Sequence, residues 1–233
     1  MKVLALDTAT ERSSVALWQD GQVITRESGT ERGHGGQILA LIDAVLAEAG
    51  TALGALDALA FGRGPGAFTG IRLAASVTQG LAFACGLPVV PVSDLRAVAQ
   101  QAMASPNEEA RVLVCHDARM GEVYWAAYVG VGGVARAESD ERVSSAAEVV
   151  AGSASWRSKA RVLGVGSGFA VYPALADMAE SLAGVRANMY PRAREIARLA
   201  AHDGLAAAVT AEHALPIYIR DRVAIVAPAS APA

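Results

Sequence analysis

Lysine is nearly absent from this chain: Lys2 and Lys159 are the only two in 233 residues. Cysteine is as scarce, with Cys85 and Cys115 alone, which excludes a disulfide-stapled scaffold. Aromatic residues make up 5% and charged residues 18%, below the roughly 25% charge of a typical soluble domain. The net charge is only −3, so no overall nucleic-acid-coating surface is indicated. Small apolar side chains fill the space instead, with 51 alanines in a composition that is 53% hydrophobic. That excludes an intrinsically disordered chain, which needs low hydrophobicity and high net charge. GC-rich coding accounts for much of the alanine and for arginine standing in for lysine.

Long apolar runs are also missing. Leu73–Ser93 carries no charge, but the Gly86-Leu87-Pro88 break leaves about fifteen helical residues, short of the ~20 a membrane span needs. A buried helix followed by a buried strand fits better. Before Asp7 only Val3–Leu6 is apolar, so no signal-peptide core is present and a cytoplasmic location is expected.

The pattern predicts strands at Val3–Asp7, Ser14–Trp18 and Gln22–Glu27, the last two joined by Asp20-Gly21, a hairpin turn signal. A helix over Gln37–Ala49, closed by Gly50, follows. Leu56–Gly62 reads as a strand, Ile71–Cys85 as a helix, and Pro88–Val92 as a strand. Ser93 then caps a helix running to about Met103. Ser105-Pro106-Asn107 marks the domain boundary. The second half restarts alike, with strands at Arg111–His116, Glu122–Val129 and Val134–Arg142. A short helix at Ser145–Ala151, a strand at Arg161–Gly164, and helices at Ala170–Leu182 and Ala193–Ala208 follow. Val226–Ala233 is expected to be a frayed tail.

The two halves resemble each other. Val3-Leu4-Ala5-Leu6-Asp7 and Val112-Leu113-Val114-Cys115-His116-Asp117 each end a strand in Asp, about 110 residues apart. Each runs through a tight turn into a further strand. That spacing is too long for a solenoid. It points to duplication of a βββαβα unit, giving two lobes at 1–105 and 106–225 in an α/β actin-like ATPase (ASKHA) fold.

In that fold the first turn of each lobe approaches a nucleotide phosphate. Asp7, Thr8 and Thr10 of the first turn, Asp117 of the second, and Gly166 of Gly164-Val165-Gly166-Ser167-Gly168 are therefore the candidate nucleotide-binding positions. ATP or ADP with Mg is an optional ligand, and no cofactor is required. Ala9 stands where such ATPases usually have Gly, and each Asp could equally do no more than end a strand and cap a turn. Gly62-Arg63-Gly64-Pro65-Gly66-Ala67-Phe68-Thr69-Gly70 lacks the Lys of a P-loop. It could form an anion nest ahead of the next helix, or a tight strand-to-helix crossover. His34, His116, His202 and His213 offer no His-x-x-x-His pair and no neighbouring cysteine ligand set. Neither a metal site nor a catalytic residue can be assigned from the sequence.

Two helices of the first lobe stand apart. In Gln37–Ala49, Ile38, Leu39, Leu41, Ile42, Val45 and Leu46 cover roughly 160° of a helical wheel, enough for a core face. Ala40, Ala44 and Ala47 lie opposite, beside Asp43, a row that lets another helix approach closely. Ile71–Cys85 has no charge after Arg72, and a helix apolar all round must be covered on every side. A partner subunit is expected there, with Ala40, Ala44, Ala47, Leu73, Val77 and Leu81 as contact residues.

Taken together, Val3–Thr10, the Gly62–Arg72 block, Gly80-Leu81-Ala82, Asp117–Tyr124 and the closing Pro216-Ile217-Tyr218-Ile219-Arg220 resemble the TsaB family over nearly the whole chain. The resemblance implies the actin-like fold and a role in forming N6-threonylcarbamoyladenosine beside the tRNA anticodon. It implies pairing with the catalytic paralogue TsaD through first-lobe helices, with the ATPase TsaE joining them and tRNA contacted through the complex. A homodimer is expected when the chain is alone. The paralogue carries a His-x-x-x-His metal site, and its absence here agrees with a non-catalytic partner. Family members often carry a polar residue after the His of this loop, where this chain has Gly35-Gly36, so no specific role is assigned to His34. The leading reading is a scaffold and activator of the transferase. The second is an ATPase or phosphotransferase built on Asp7 and Asp117. A metallopeptidase would need ligands that the sequence lacks.

Overall fold

A computed structural model describes residues 1–29, 34–103, 110–158 and 161–220, and the side chains of 34–36 are not described. His34, the expected boundary at Ser105-Pro106-Asn107 and the expected tail at Val226–Ala233 therefore lie outside the described side chains or residues.

Two sheets carry the fold. In the first, β1 (Lys2–Asp7), β2 (Ser14–Gln19), β3 (Gln22–Glu27), β4 (Ala58–Gly62) and β5 (Val89–Val92) are ordered β3-β2-β1-β4-β5. In the second, β6 (Arg111–Asp117), β7 (Glu122–Val131), β8 (Val134–Ala137), β10 (Val162–Val165) and β11 (Gly184–Arg186) are ordered β11-β10-β6-β7-β8. Read from their first strands, both sheets have one order: an antiparallel pair of hairpins on one side, then parallel additions on the other. The duplicated unit is thus an actin-like ATPase lobe used twice.

Helices α1 (His34–Ala49) and α2 (Phe68–Cys85) cover one face of the first sheet. Ile38, Ile42 and Val45 of α1, with Ala74, Ala75 and Ala82 of α2, meet Leu4, Leu6, Val15, Leu17, Leu59 and Phe61. The other face, carrying Val3, Ala5, Ala16, Ala60 and Val90, is covered by α7 (Ala193–Asp203). In turn, α3 (Asp94–Ala102) packs Leu95, Val98 and Ala99 on Val112, Val114, Ala126 and Tyr128 of the second sheet. Each lobe therefore supplies the helix that closes its partner's inner face. Arg96 of α3 fastens the exchange, with hydrogen bonds to both carboxylate oxygens of Asp203 and one to the Ala135 carbonyl. Gln100 adds a bond to Gly133 and one from Ala135. The outer face of the second sheet carries α4 (Ala146–Arg157), α5 (Gly168–Val171) and α6 (Pro173–Met178).

Several expected elements differ for local reasons. Val134–Arg142 is two strands, β8 and β9 (Arg142–Ser145), because β9 pairs the opposite end of β7. The helix expected at Ser145–Ala151 runs on to Arg157 behind a Ser145/Glu148 capping box, which satisfies two N-terminal amides at once. Ala170–Leu182 is broken at Tyr172, extended ahead of Pro173, since a residue before proline is kept out of the helical region. Ala193–Ala208 stops at Asp203, where Gly204 turns to φ 68. Leu39, expected in the core, is 51% exposed. Among the described residues no helix is long and apolar enough to cross a membrane.

Candidate functional site

A cleft of about 650 Å³ opens between the lobes. Its walls are the β1–β2 turn, the glycine loop before α2, the β6–β7 turn, the β10–α5 turn, Tyr190-Pro191 and the C-terminal segment Ile217–Arg220. Among the expected nucleotide positions, Thr8, Thr10 and Asp117 line it, whereas Asp7 and Gly166 do not.

Asp7 is 1% exposed and turned inward. Its Oδ1 accepts the Ala9 N–H at 2.9 Å, and its carboxyl pairs with that of Asp94 at the start of α3. Both carboxyls converge on the space where Gly62 lacks a side chain: a Cβ there would lie 2.3 Å from Asp94 Oδ1 and 3.0 Å from Asp7 Oδ1. Asp94 Oδ2 accepts the Gly64 N–H at 2.5 Å. Burial is the largest cause that raises both acids. Asp7 reaches about 6, and Asp94 stands well above the usual carboxylate range because the Asp7 charge adds to its burial. Two buried carboxyls this close resist ionising together, so the pair keeps a proton well above the usual carboxylate range. Asp7 therefore locks the turn to the loop and offers nothing to a cleft ligand in this arrangement.

The glycine loop is a packing device. A Cβ at Gly70 would stand 1.9 Å from the Thr8 carbonyl oxygen, and one at Gly66 would stand 2.7 Å from the Ala9 Cβ. Ala67 donates its N–H to the Ala9 carbonyl at 2.8 Å, and Thr8 Oγ1 donates to the Gly70 carbonyl at 2.6 Å. Glycine is needed because backbone lies on backbone. Of the two readings of this stretch, the tight crossover accounts for these contacts. In the second lobe Gly166 has φ 106, and a Cβ would lie 2.5 Å from the Cys115 carbonyl.

The second turn is closed on itself. Asp117 Oδ1 accepts the Arg119 N–H at 2.9 Å and lies 2.7 Å from the Tyr172 hydroxyl. Arg119 and Met120 both have positive φ, 62 and 55. Below the turn, His116 Nδ1 stands 2.8 Å from Ser167 Oγ, which accepts the Asp117 N–H at 3.1 Å. Burial lowers His116 to about 4. The ring is therefore neutral, and it shares one hydrogen bond with the Ser167 hydroxyl through Nδ1. This pair was not among the expected positions; Cys115-His116 in the sequence gave no sign that Ser167, fifty-one residues on, would reach it. Among the described residues no group of three or more His, Cys, Asp or Glu is placed to hold a metal ion.

The expected contact residues sit on the outer layer of the first lobe. Ala40, Ala44 and Ala47 are exposed along α1. Leu73, Val77 and Leu81 are half-buried, with Val77 and Leu81 resting on the first-lobe core. Outward of them on α2 come Ser76, Gly80, Phe83 and Ala84, with Phe83 84% exposed. Phe83 was not among the expected contact residues. Counting from the buried set Ile71, Ala74, Ala75, Thr78 and Ala82, its position on a 3.6-residue wheel is outward.

Comparison with known proteins bears on the fold and the family. Residues 24–227 match the family model described as "TsaD: tRNA N6-adenosine threonylcarbamoyltransferase". The tRNA threonylcarbamoyladenosine biosynthesis protein TsaB of Escherichia coli is 40% identical over 96% of this chain and 96% of its own length. The TsaB of Haemophilus influenzae is 48% identical over 55% of this chain and 54% of its own. Among solved structures, YeaZ from Pseudomonas aeruginosa superimposes with a TM-score of 0.81 at 39% identity, covering 93% of this chain and 99% of that one. With near-complete coverage on both sides in sequence and in structure, the chain belongs to the TsaB family.

Proposed function

We propose that this chain is an accessory subunit in tRNA threonylcarbamoyladenosine formation that docks on a TsaD-like transferase and favours its active conformation, without itself carrying out the transfer. The observation that carries this reading is the outer layer of the first lobe. Helix α2 turns a face that is uncharged after Arg72 outward, with Phe83 at 84% exposure, and α1 beside it exposes Leu39 at 51% and the alanine row Ala40, Ala44 and Ala47 beside Asp43. Apolar side chains left in water favour any state that covers them. If only the active form of the transferase does so, docking shifts its population toward that form. A TsaE-like ATPase joins the assembly, tRNA is contacted through the transferase, and two copies of this chain pair through the same face when the partner is absent.

The test is Ala44→Arg on α1, with co-purification and titration against the transferase. A buried, unpaired guanidinium at a helix contact costs about 3–5 kcal/mol, so association should fall more than a hundredfold. Ala147→Arg, on the exposed side of α4 in the second lobe, should leave association unchanged. Undiminished binding by the Ala44 variant overturns the interface.

A nucleotide reading is favoured by one observation, the cleft with Thr8, Thr10 and Asp117 in its walls and the N-terminus of α2 beside them. The inward lock of Asp7 on Asp94 speaks against metal-assisted hydrolysis there. ATP turnover by the purified chain that is lost in Asp7→Ala would reverse that judgement.

A further inference from the structure

The C-terminal segment does more than end the chain. After α7, Val209 pairs with Val89 at the edge of the first sheet through two backbone hydrogen bonds, 2.8 and 2.9 Å. Ala214 is fully buried in the first-lobe core. The chain then runs along the glycine loop, where Ile217 donates its N–H to the Arg63 carbonyl at 2.7 Å. It ends its described course on the second lobe.

Two side chains two residues apart make the crossing. Tyr218 belongs to the first-lobe side: its hydroxyl accepts from Arg72 Nε at 2.7 Å, and the Arg72 guanidinium lies 3.6 Å over the Phe68 ring. The Phe68 and Tyr218 rings are 5.8 Å apart. Arg220 belongs to the second-lobe side. Its Nη2 donates to the Ala118 carbonyl at 2.9 Å and meets Glu122 Oε2 at 2.6 Å, and the guanidinium sits 5.9 Å from the Tyr124 ring centre. Its side chain is only 14% exposed, so these are partly desolvated, charge-assisted contacts rather than a loose surface pair. Ile217, Tyr218, Ile219 and Arg220 all line the interlobe cleft.

We propose that Pro216–Arg220 is a latch across the interlobe cleft, fastened to α2 by Tyr218 and to the β6–β7 turn by Arg220, and that entry to the cleft requires Arg220 to release. Because α3 and α7 join the lobes independently of this segment, release opens the cleft without separating the lobes. Arg72 and Phe68 belong to the same helix as the outward Phe83, so a body seated on α2 has a direct mechanical route to the latch.

His116 gives a readout of entry. It lines the cleft, is 9% exposed, and its Nε2 has no partner. Diethyl pyrocarbonate acylates neutral imidazole, and His202 and His213, exposed outside the cleft, serve as references in the same digest. In the unaltered full-length chain His116 should label slowly. Arg220→Ala should raise its rate relative to the references at least about tenfold, the order expected when a charge-assisted set of hydrogen bonds is lost. Glu122→Gln attacks the same contact from the other lobe and should raise it in the same direction. Arg220→Lys, which keeps charge but loses the fork, should fall between. Unchanged His116 labelling in folded Arg220→Ala and Glu122→Gln overturns the latch. Should Arg220→Ala lose its thermal transition, Glu122→Gln and Arg220→Lys decide the matter alone.

Discussion

The β1–β2 turn and the β6–β7 turn begin as the same object and end as different ones. Asp7 and Asp117 each close a first strand, and each accepts the N–H two residues on at 2.9 Å. Each lobe also sets a glycine at the start of a helix, Gly70 or Gly168, against a strand-end or turn carbonyl, that of Thr8 or Cys115. Beyond that the copies diverge. The first turn is sealed by a second carboxyl, Asp94, and by the glycine loop. The second is held by Tyr172, by the Ser167–His116 pair beneath it, and by Arg220 from outside. The backbone of a nucleotide-type lobe survives in both, while the side chains of the first serve packing. A turn-ending Asp in this fold is thus not by itself a ligand; what packs against its carboxyl decides.

The largest effect should come from the glycine contacts. Gly70→Ala would force a Cβ to 1.9 Å from a main-chain oxygen, with backbone on both sides and no flexible side chain to give way. A loss above about 3 kcal/mol is expected, a fall of roughly 10 °C in midpoint for a chain of this size. Gly168→Ala, its counterpart, meets the Cys115 oxygen at 2.9 Å and the movable Leu175 Cδ1 at 3.2 Å, so it should cost less. Thermal unfolding of the two variants side by side checks this, and equal losses would remove the asymmetry between the turns.

How far this was legible in the sequence depends on the range of the interaction. The duplication shows in two strand–Asp–turn–strand signatures, and Ser93 was readable as a cap, since its Oγ accepts the Arg96 N–H at 3.1 Å. Period and capping are local properties, so they survive in sequence. The Asp7–Asp94 pair joins residues eighty-seven apart in a chain whose acids number 23, and no local pattern selects that pairing. Ser167 with His116 is the same case. Leu39 sat within an apolar arc wide enough to be a core face, yet the sheet beneath α1 covers only the Ile38, Ile42 and Val45 side. Wheel geometry gives the width of an apolar face but not the width of what covers it. Tyr218 and Arg220 stood in a recognisable closing stretch whose reach across to the second lobe only the structure supplies.

Proton linkage separates the turns next. Burial raises Asp7 from 3.8 to about 6, and Asp94 is raised as well. The folded chain therefore keeps a proton that the unfolded chain releases near pH 3.8. Stability contributed here is whole below that pH and is lost as pH climbs through about 6, on the order of 2–3 kcal/mol by linkage. Asp94→Asn supplies a permanent donor to Asp7 and still accepts the Gly64 N–H. It should flatten this limb and raise stability at pH 8 by about 2 kcal/mol relative to the parent. Urea unfolding at pH 5 and pH 8 measures it, and a variant that keeps the parent's slope would show that no proton is held between the two acids.

The second turn should slope the other way. Burial lowers His116 from 6.5 to about 4, so the folded chain refuses a proton that the unfolded chain accepts. That contribution is whole above pH 6.5 and drains as pH falls toward 4, about 1 kcal/mol between pH 6.5 and 5.5. His116→Asn places an oxygen near the Nδ1 position, able to accept from Ser167, and cannot titrate. It also leaves a small void, so its absolute stability should drop at every pH. The telling quantity is the slope: the difference from the parent should shrink by about 1 kcal/mol between pH 6.5 and 5.5. A difference that stays constant across that window would mean that His116 takes up its proton in the fold as readily as in the unfolded chain. The two turns would then no longer differ in the sign of their proton linkage, because only the Asp7–Asp94 pair would contribute a slope.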